Sequence, residues 1–199
     1  EEEEEEEAQL QVHSNWLFLP WQRIHLYFFE RVLGKLLDDD SFALPYWNWD
    51  QNPNNNSAED NFANMHYFNV DKTAEHFMGG KHVTGSLERA LHHNIQIGVD
   101  GPGNPYGEDM GNFYSSGRDA MFYGLHANVD RMWDVWTKAF NHNNLEDEEW
   151  LTSAFYLYDE NAQLVRVRVS DILDSEKLGY TYEELPEATV PVATTSTRT

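Results

Sequence analysis

The chain has 199 residues, 40% hydrophobic and 14% aromatic, which is enough to bury the core of one domain and excludes a disordered protein. Its formal charge of −22, to which seven glutamates at positions 1–7 contribute, disfavours binding to nucleic acid and to anionic membranes. No apolar run approaches the roughly 20 residues that span a bilayer, and the absence of cysteine leaves histidine as the side chain for any soft-metal chemistry.

Residues 1–10 are predicted to be a solvated tail or a placeholder for other sequence, because a glutamate homopolymer has no apolar face to bury. Nothing there resembles a signal or transit peptide, so we expect a processed or truncated species. We predict one domain over residues 11–185, followed by a linker-like tail at 186–199.

A long buried helix is predicted to begin near Pro20, since proline is favoured in the first turn. Lys35 in the last turn and the acidic DDDS at 38–41 indicate its end. The residues expected to face inward recur at helical spacing: Trp21, Ile24, His25, Phe28, Val32 and Leu36. The segment FALPYWNWD at 42–50 then predicts an extended strip packed under the core.

A second helix is predicted in TGSLERALHHNIQ at 84–96, where Glu88, His92 and Gln96 recur every four residues on one face. That is the spacing of metal ligands in helical bundles. The glycine-rich segment 98–111 after it predicts a loop that passes close to such a site. Four other histidines share no helical face with these residues and are expected to bind no metal: His66, His76, His82 and His142.

A third helix is predicted within residues 111–136, with Asp119 as a suitable N-cap and an apolar stripe from Phe122 to Trp136. His126 lies on the same face, and Asp130 follows one turn later, where a carboxylate would orient a ligating imidazole. A single histidine on an apolar face is also typical of a hydrogen-bonded core residue, and spacing alone leaves both interpretations open.

The chain from Ala154 alternates between faces, which predicts a β-hairpin formed by FYLY, a DEN turn and LVRVRV. The sequence HANVDRMW at 126–133, preceded by GNFYS and GRD, resembles the second copper motif of plant polyphenol oxidases, the catechol oxidases and tyrosinases with a binuclear copper site. The resemblance extends to VHSNWLFLPWQR at 12–23, FALPYWNWD at 42–50, GEDMGNFYSSGRD at 107–119 and LYDENAQLVRVRV at 157–169.

This resemblance implies two copper ions, each held by three imidazoles. The first ion would take His13 and the position of Gln22, with its first ligand upstream of this chain, and the second would take His92, the position of Gln96, and His126. Glutamine is a harder, weaker donor to copper than imidazole. Three explanations for Gln22 and Gln96 stay open: a reading error, a metal-poor relative, or compensation by His25 or His93.

The resemblance also implies roles for three neighbours of the coppers. Phe113 matches the aromatic gate over the second copper, and Glu88 matches an acid that holds a water molecule. His93 follows the first ligand of the second copper, where relatives tune the deprotonation of monophenols. Each has a structural alternative, since Phe113 is also typical of a core and Glu88 of the first turn of a helix.

The implied fold is mainly α, with a four-helix-bundle core around a binuclear copper site and a peripheral β-hairpin. The implied function is oxidation of o-diphenols to o-quinones with reduction of dioxygen to water. A monophenol-hydroxylating or aurone-forming relative and a non-catalytic, copper-poor relative are the alternatives. The expected partners are a small phenol and dioxygen, and the implied location is the plastid, in the thylakoid lumen.

Overall fold

The computed structural model describes residues 12–49, 73–99, 108–112 and 114–183. Its first element, α1, is a helix at Phe18–Leu37 that ends where Asp38 adopts a left-handed conformation. The helix begins two residues before Pro20, so proline lies in its first turn as predicted. The buried residues of α1 lie in its N-terminal half, whereas Leu36 is 76% exposed. The prediction that Leu36 faces inward was wrong because only the first turns of α1 are covered by other elements.

The segment that carries His92 begins with helix α2 at Ala74–Met78 and a short antiparallel pair, β1 at Gly79–Gly80 and β2 at Val83–Thr84. A π-helical turn follows at Leu87–His92 and continues into α3 at His93–Val99. A Cβ atom on Gly85 would lie 2.4 Å from the carbonyl oxygen of Phe77. Glycine is therefore needed for the backbone to pass α2 and enter the turn that carries His92.

Helix α4 at Ala120–Asp134 is the central buried element, and a π-helical turn at Val135–Ala139 extends it. The side chain of Asp119 accepts a hydrogen bond from the amide of Met121, which confirms the predicted N-cap. Every residue from Leu125 to Asp134 is buried. The strip before residue 50 packs on α4, where the Trp47 amide donates to the Gly124 carbonyl at 2.9 Å.

The C-terminal part contains α5 at Glu148–Thr152, β3 at Ala154–Tyr158, β4 at Leu164–Arg168 and α6 at Ser175–Leu178. Strands β3 and β4 pair antiparallel, with Tyr156 opposite Arg166, which confirms the predicted hairpin. Phe155 faces the core while Tyr156 and Tyr158 are exposed, as expected for a sheet with one covered face.

The core lies between α1, α4 and the hairpin and is rich in aromatic residues. Its largest fully buried apolar side chains are Trp133, Trp136, Trp150, Phe18, Phe77 and Phe155. A buried ion pair crosses this core: the Arg23 guanidinium on α1 donates to Asp130 and Asp134 on α4, each at 2.6 Å. The ion pair joins α1 to α4 close to two predicted ligand positions, since Arg23 follows Gln22 and Asp130 lies one turn after His126.

The fold is mainly helical, as predicted, with the hairpin at its periphery. The predicted four-helix core is represented in the described residues by the stretches 18–37, 87–99 and 120–139. The predicted tails at 1–10 and 186–199, His66, Phe113 and most of the 98–111 loop lie outside the described residues. The domain bounds 11–185 stay a prediction. None of the helices in the described parts of the chain is long and apolar enough to cross a membrane.

Candidate metal centre

His126 lies in the middle of α4 and is fully buried. Its Nδ1 is 2.6 Å from the carbonyl oxygen of Phe122, one turn earlier on the same helix. A carbonyl oxygen only accepts hydrogen bonds, so this contact places the ring proton on Nδ1. The Nε2 atom of His126 therefore presents an unprotonated lone pair.

His92 faces that lone pair from the end of the π-helical turn. The two Nε2 atoms, of His92 and His126, lie 2.8 Å apart. His13 completes the group, with its ring centroid 6.2 Å from that of His92 and nearly parallel to it. Phe18 packs against both rings and supplies an apolar wall. Three imidazoles that are far apart in the sequence thus meet in one place, where His92 and His126 are buried and His13 is half-buried.

Burial keeps these imidazoles neutral. It lowers the pKa of His126 to about 3, an effect that the hydrogen bond to Phe122 opposes. Burial also lowers the pKa of His92 well below its ordinary value, with smaller contributions from His126 and His13, and lowers the pKa of His13. Neutral imidazole is the form that binds metal, so the lowered pKa values favour metal binding near pH 7.

Glu88 lies beside the histidines, one turn before His92. Its Oε1 accepts a hydrogen bond from the amide of Ser14 at 2.7 Å, which ties the His13 segment to the π-helical turn. Burial raises the pKa of Glu88 to about 7, although the bond from Ser14 acts in the opposite direction. Its Oε2 is buried without a hydrogen-bond partner. The carboxyl group is thus poised to gain or lose a proton near neutral pH.

The two glutamines at predicted ligand positions are also buried, with exposed fractions of 2% for Gln22 and 5% for Gln96. Gln22 lies on α1 one turn after Phe18, and its Oε1 has no hydrogen-bond partner. Gln96 lies on α3 one turn after His92. An unpaired buried amide oxygen costs about 1–3 kcal/mol, so the position of Gln22 favours occupancy by a donor or a cation.

The donor set fits a metal ion only in part. Two imidazole Nε2 atoms face each other with the Gln96 amide one turn away, which is a reasonable set for one ion. Within the described ranges, however, no three side chains among histidine, cysteine, aspartate and glutamate are arranged to hold one ion. The residues therefore do not fit two ions with three imidazoles each.

Comparisons with known proteins agree with the sequence motifs. A family model described as the common central domain of tyrosinase matches residues 1–88 and 53–139, and one described as the polyphenol oxidase middle domain matches 144–192. The chain belongs to the tyrosinase family.

Its relatives within that family are plant polyphenol oxidases. The latent polyphenol oxidase of Prunus armeniaca is 40% identical over 87% of this chain and 38% of that protein, and catechol oxidase B of Solanum tuberosum is 36% identical over 89% and 40%. The structure of latent apple tyrosinase superposes with a TM-score of 0.78 at 35% identity, covering 89% of this chain and 50% of that chain. This tyrosinase-family chain thus spans about two fifths of the length of the curated relatives it matches.

One residue of this tyrosinase-family site differs from its predicted role. Asp130 was expected to orient a ligating imidazole, but it contacts Arg23 and accepts hydrogen bonds from the hydroxyls of Tyr180 and Tyr182, each at 2.6 Å. The carbonyl of Phe122 orients His126 instead. Every residue type has a main-chain carbonyl, so the sequence does not mark this contact. The spacing of four residues between Phe122 and His126 could still have suggested it, because a helix places those two residues one turn apart.

Four other histidines, His25, His82, His93 and His142, make no ring contact with His92 or His126, although His25 contributes to the lowered pKa of His126 and His93 to that of His92. His25 stacks on Trp21 with an interplanar angle of 2° and packs against Phe122, and its buried Nδ1 has no hydrogen-bond partner. His93 and His82 are exposed, and His142 stacks on Trp136 at 4.6 Å. His93 therefore points away from the face that carries His92, as the 100° step of a helix requires.

Proposed function

We propose that this chain is the central part of a plant polyphenol oxidase that oxidises o-diphenols to o-quinones and reduces dioxygen to water. The proposal rests on one observation above all: the Nε2 atoms of His92 and His126 face each other at 2.8 Å in a buried, neutral site. The name catechol oxidase, carried by a relative with 36% identity, supports this reaction class. Since the chain spans only part of its relatives, the activity is proposed for the whole protein.

Copper held by His92 and His126 would supply the electron transfer between phenol and dioxygen. The chain's own residues would exclude water and handle a proton. Phe18, whose ring packs against those of His13 and His92, would exclude water from the site. Glu88, with a pKa of about 7 and a free Oε2, is the group best suited to hold a proton released by a phenol hydroxyl.

Copper content and catechol oxidation decide this proposal together. We expect the purified chain to hold less than a full complement of copper and to oxidise catechol slowly, because Gln22 and Gln96 are weak donors. The double variant Gln22→His and Gln96→His should raise both copper per chain and dioxygen consumption. His82→Gln, an exposed histidine, is the control. Absence of any quinone from the double variant fully loaded with copper would overturn the proposed reaction.

A second function, that of a copper-poor protein without oxidase activity, is favoured by the two buried glutamines. It predicts that restoring histidine at both positions restores copper but yields no turnover. Peptide sequencing across residues 20–24 and 92–98 separates this from a reading error. A confirmed glutamine at both positions with brisk catechol oxidation would contradict the ligand argument itself.

The partners proposed are a small phenol and dioxygen, and the strongly negative charge disfavours nucleic acid. The relatives named chloroplastic support a plastid location, and the thylakoid lumen is the compartment we propose. Import of a tagged full-length protein into isolated chloroplasts, followed by fractionation, tests that location.

A further inference from the structure

We propose that the described centre holds a single divalent transition-metal ion, Cu(II) or Zn(II), between His92 and His126, and does not hold a coupled pair. The inference rests on the metal chemistry proposed above for the same site, and it departs from the two ions that the sequence motifs imply. It starts from the mismatch between the donors the chain supplies and the donors that two ions require.

The first step is the geometry of the imidazole pair. The Phe122 carbonyl fixes the proton of His126 on Nδ1, so the Nε2 of His126 accepts a hydrogen bond from the Nε2–H of His92, 2.8 Å away. An ion between the two Nε2 atoms would require the proton of His92 to move to its Nδ1, which has no hydrogen-bond partner. Two nitrogen atoms that each lie about 2.0–2.1 Å from one ion are about 3 Å apart when they meet at a right angle. The observed separation is close to this value, so a small outward movement of the rings admits one ion.

The second step is the third donor. Gln96 follows His92 by one turn on α3 and is 5% exposed, so its amide faces the same buried side as His92. An amide oxygen is a hard donor, which favours a divalent ion over Cu(I). Two imidazoles, one amide and a water molecule make a four-donor set suited to Zn(II) or Cu(II).

The third step is the shortage of donors for a second ion. His13 is the one imidazole on that side of the centre in the described residues, with its ring 6.2 Å from that of His92. Gln22 adds only an amide. His25 does not make up the difference, because it is stacked flat on Trp21 and enclosed by Phe29 and Phe122. Among the residues that the structure describes, a second ion would find one imidazole and one amide, which are too few donors to retain it.

Metal binding and electron paramagnetic resonance test the inference on the intact chain. Copper sulfate or zinc chloride is added, excess metal is removed by dialysis, and the metal retained per chain is measured. We expect one ion per chain, and we expect the copper-loaded protein to show a paramagnetic signal that accounts for all of its copper. A coupled Cu(II) pair would instead give two ions and little or no signal, and that result would overturn the inference.

Variants locate the ion. His92→Gln keeps the side-chain volume similar and should lower the affinity for Zn(II) by more than about 100-fold, since loss of a mere orienting contact already costs 10–100-fold. His82→Gln, an exposed histidine outside the centre, should leave affinity unchanged. Equal losses in the two variants, or no retained ion in the unmodified chain, would also overturn the inference. Circular dichroism confirms that both variants are folded.

A gain-of-function variant provides an independent check. Gln96→His adds a third imidazole to the same ion and should raise the affinity while the stoichiometry stays at one. The result is separable from the proposed function. One retained ion without quinone formation leaves the single-ion site standing and removes the oxidase, whereas two coupled ions with quinone formation do the reverse.

Discussion

Glu88 connects two segments of the centre, since its carboxyl accepts a hydrogen bond from Ser14 while its helix carries His92. Its pKa of about 7 in the folded protein exceeds the ordinary value of 4.5. Between pH 4.5 and 7, the carboxyl group of Glu88 is protonated in the folded state and ionised in the unfolded state. The contribution of Glu88 to stability therefore falls as the pH rises from 4.5 to 7, and it is lost above pH 7.

We predict that Glu88→Gln removes this loss. The free energy of unfolding of the variant, minus that of the unmodified chain, should increase from pH 4.5 to 7 by up to about 3 kcal/mol. Urea denaturation of metal-free protein at several pH values measures it. The buried histidines titrate in both proteins and cancel in the difference. A difference that stays constant with pH would show that Glu88 is not protonated in the folded chain.

The centre was only partly predictable at the level of single residues. Helical spacing placed Glu88, His92 and His126 on the correct faces, because periodicity reports which side of a helix is buried. It does not report which distant group a buried side chain meets. Asp130 has its partner Arg23 107 residues earlier in the sequence, and no local pattern indicates that pairing.

At the level of elements, the link between α1 and α4 depends on Arg23. Its guanidinium lies 4.0 Å over the ring of Trp133 and donates to Asp130 and Asp134 at zero side-chain exposure. Arg23→Met keeps the apolar contact but leaves two buried carboxylates without this cation. We predict a loss of about 3–5 kcal/mol in the free energy of unfolding.

Arg31 on the same helix provides the matched control. It pairs with Glu160, but its side chain is 46% exposed. Arg31→Met should cost about 1 kcal/mol or less, because water and salt screen an exposed pair. Similar losses in the two variants would contradict a special role for the buried pair. If Arg23→Met does not fold, adding Asp130→Asn and Asp134→Asn should restore folding by removing the unpaired charges.

The N-cap of α4 allows a smaller test of element formation. Asp119 accepts a hydrogen bond from Met121 at 2.8 Å. Asp119→Ala should destabilise the chain by about 1 kcal/mol, whereas Asp119→Asn should cost much less since the amide oxygen still accepts. Thermal unfolding of the two variants measures this. Equal melting temperatures for both variants would show that the cap does not contribute.

Elements were predicted well where the signal was local. The cap at Asp119, the alternation in the hairpin and the last turn of α1 each follow from neighbouring residues. The π-helical turn at Leu87–His92 was not predicted, because a π-helical turn and an α-helical turn share the same local sequence pattern. Exposure of Leu36 was likewise decided by what covers α1, which propensity does not encode.

At the scale of the whole molecule, the family motifs predicted the fold because they lie in separate segments of the chain and include both α1 and α4, which pack together in the core. The alignment with the relative from Prunus armeniaca is 230 positions long, but it contains only 87% of the 199 residues of this chain. That relative therefore has additional residues within the matched region. The distances within the centre were beyond prediction, since they depend on how α1, α3 and α4 pack and not on any one of them.

The C-terminal part of the domain is joined to the centre through Tyr180 and Tyr182. Both hydroxyls donate to the same oxygen of Asp130, Oδ2, at 2.6 Å, and Asp130 in turn holds Arg23. Burial, followed by the charge of Asp130, raises the pKa of both tyrosines, so they remain donors throughout the neutral range. If the domain extends to residue 185 as predicted, these two bonds contribute to the stability of the whole chain.

We predict that Tyr180→Phe and Tyr182→Phe each cost about 1.5–3 kcal/mol, the usual contribution of a hydrogen bond to a charged group. The double variant should lose more than the sum of the two, because either hydroxyl alone still satisfies Oδ2 and their joint removal leaves it without both donors. Urea denaturation of the four proteins gives the coupling. Tyr156→Phe, whose side chain is 64% exposed, is the control and should be neutral within about 0.5 kcal/mol. A double variant as stable as that control would place the domain boundary before residue 180 and not at 185.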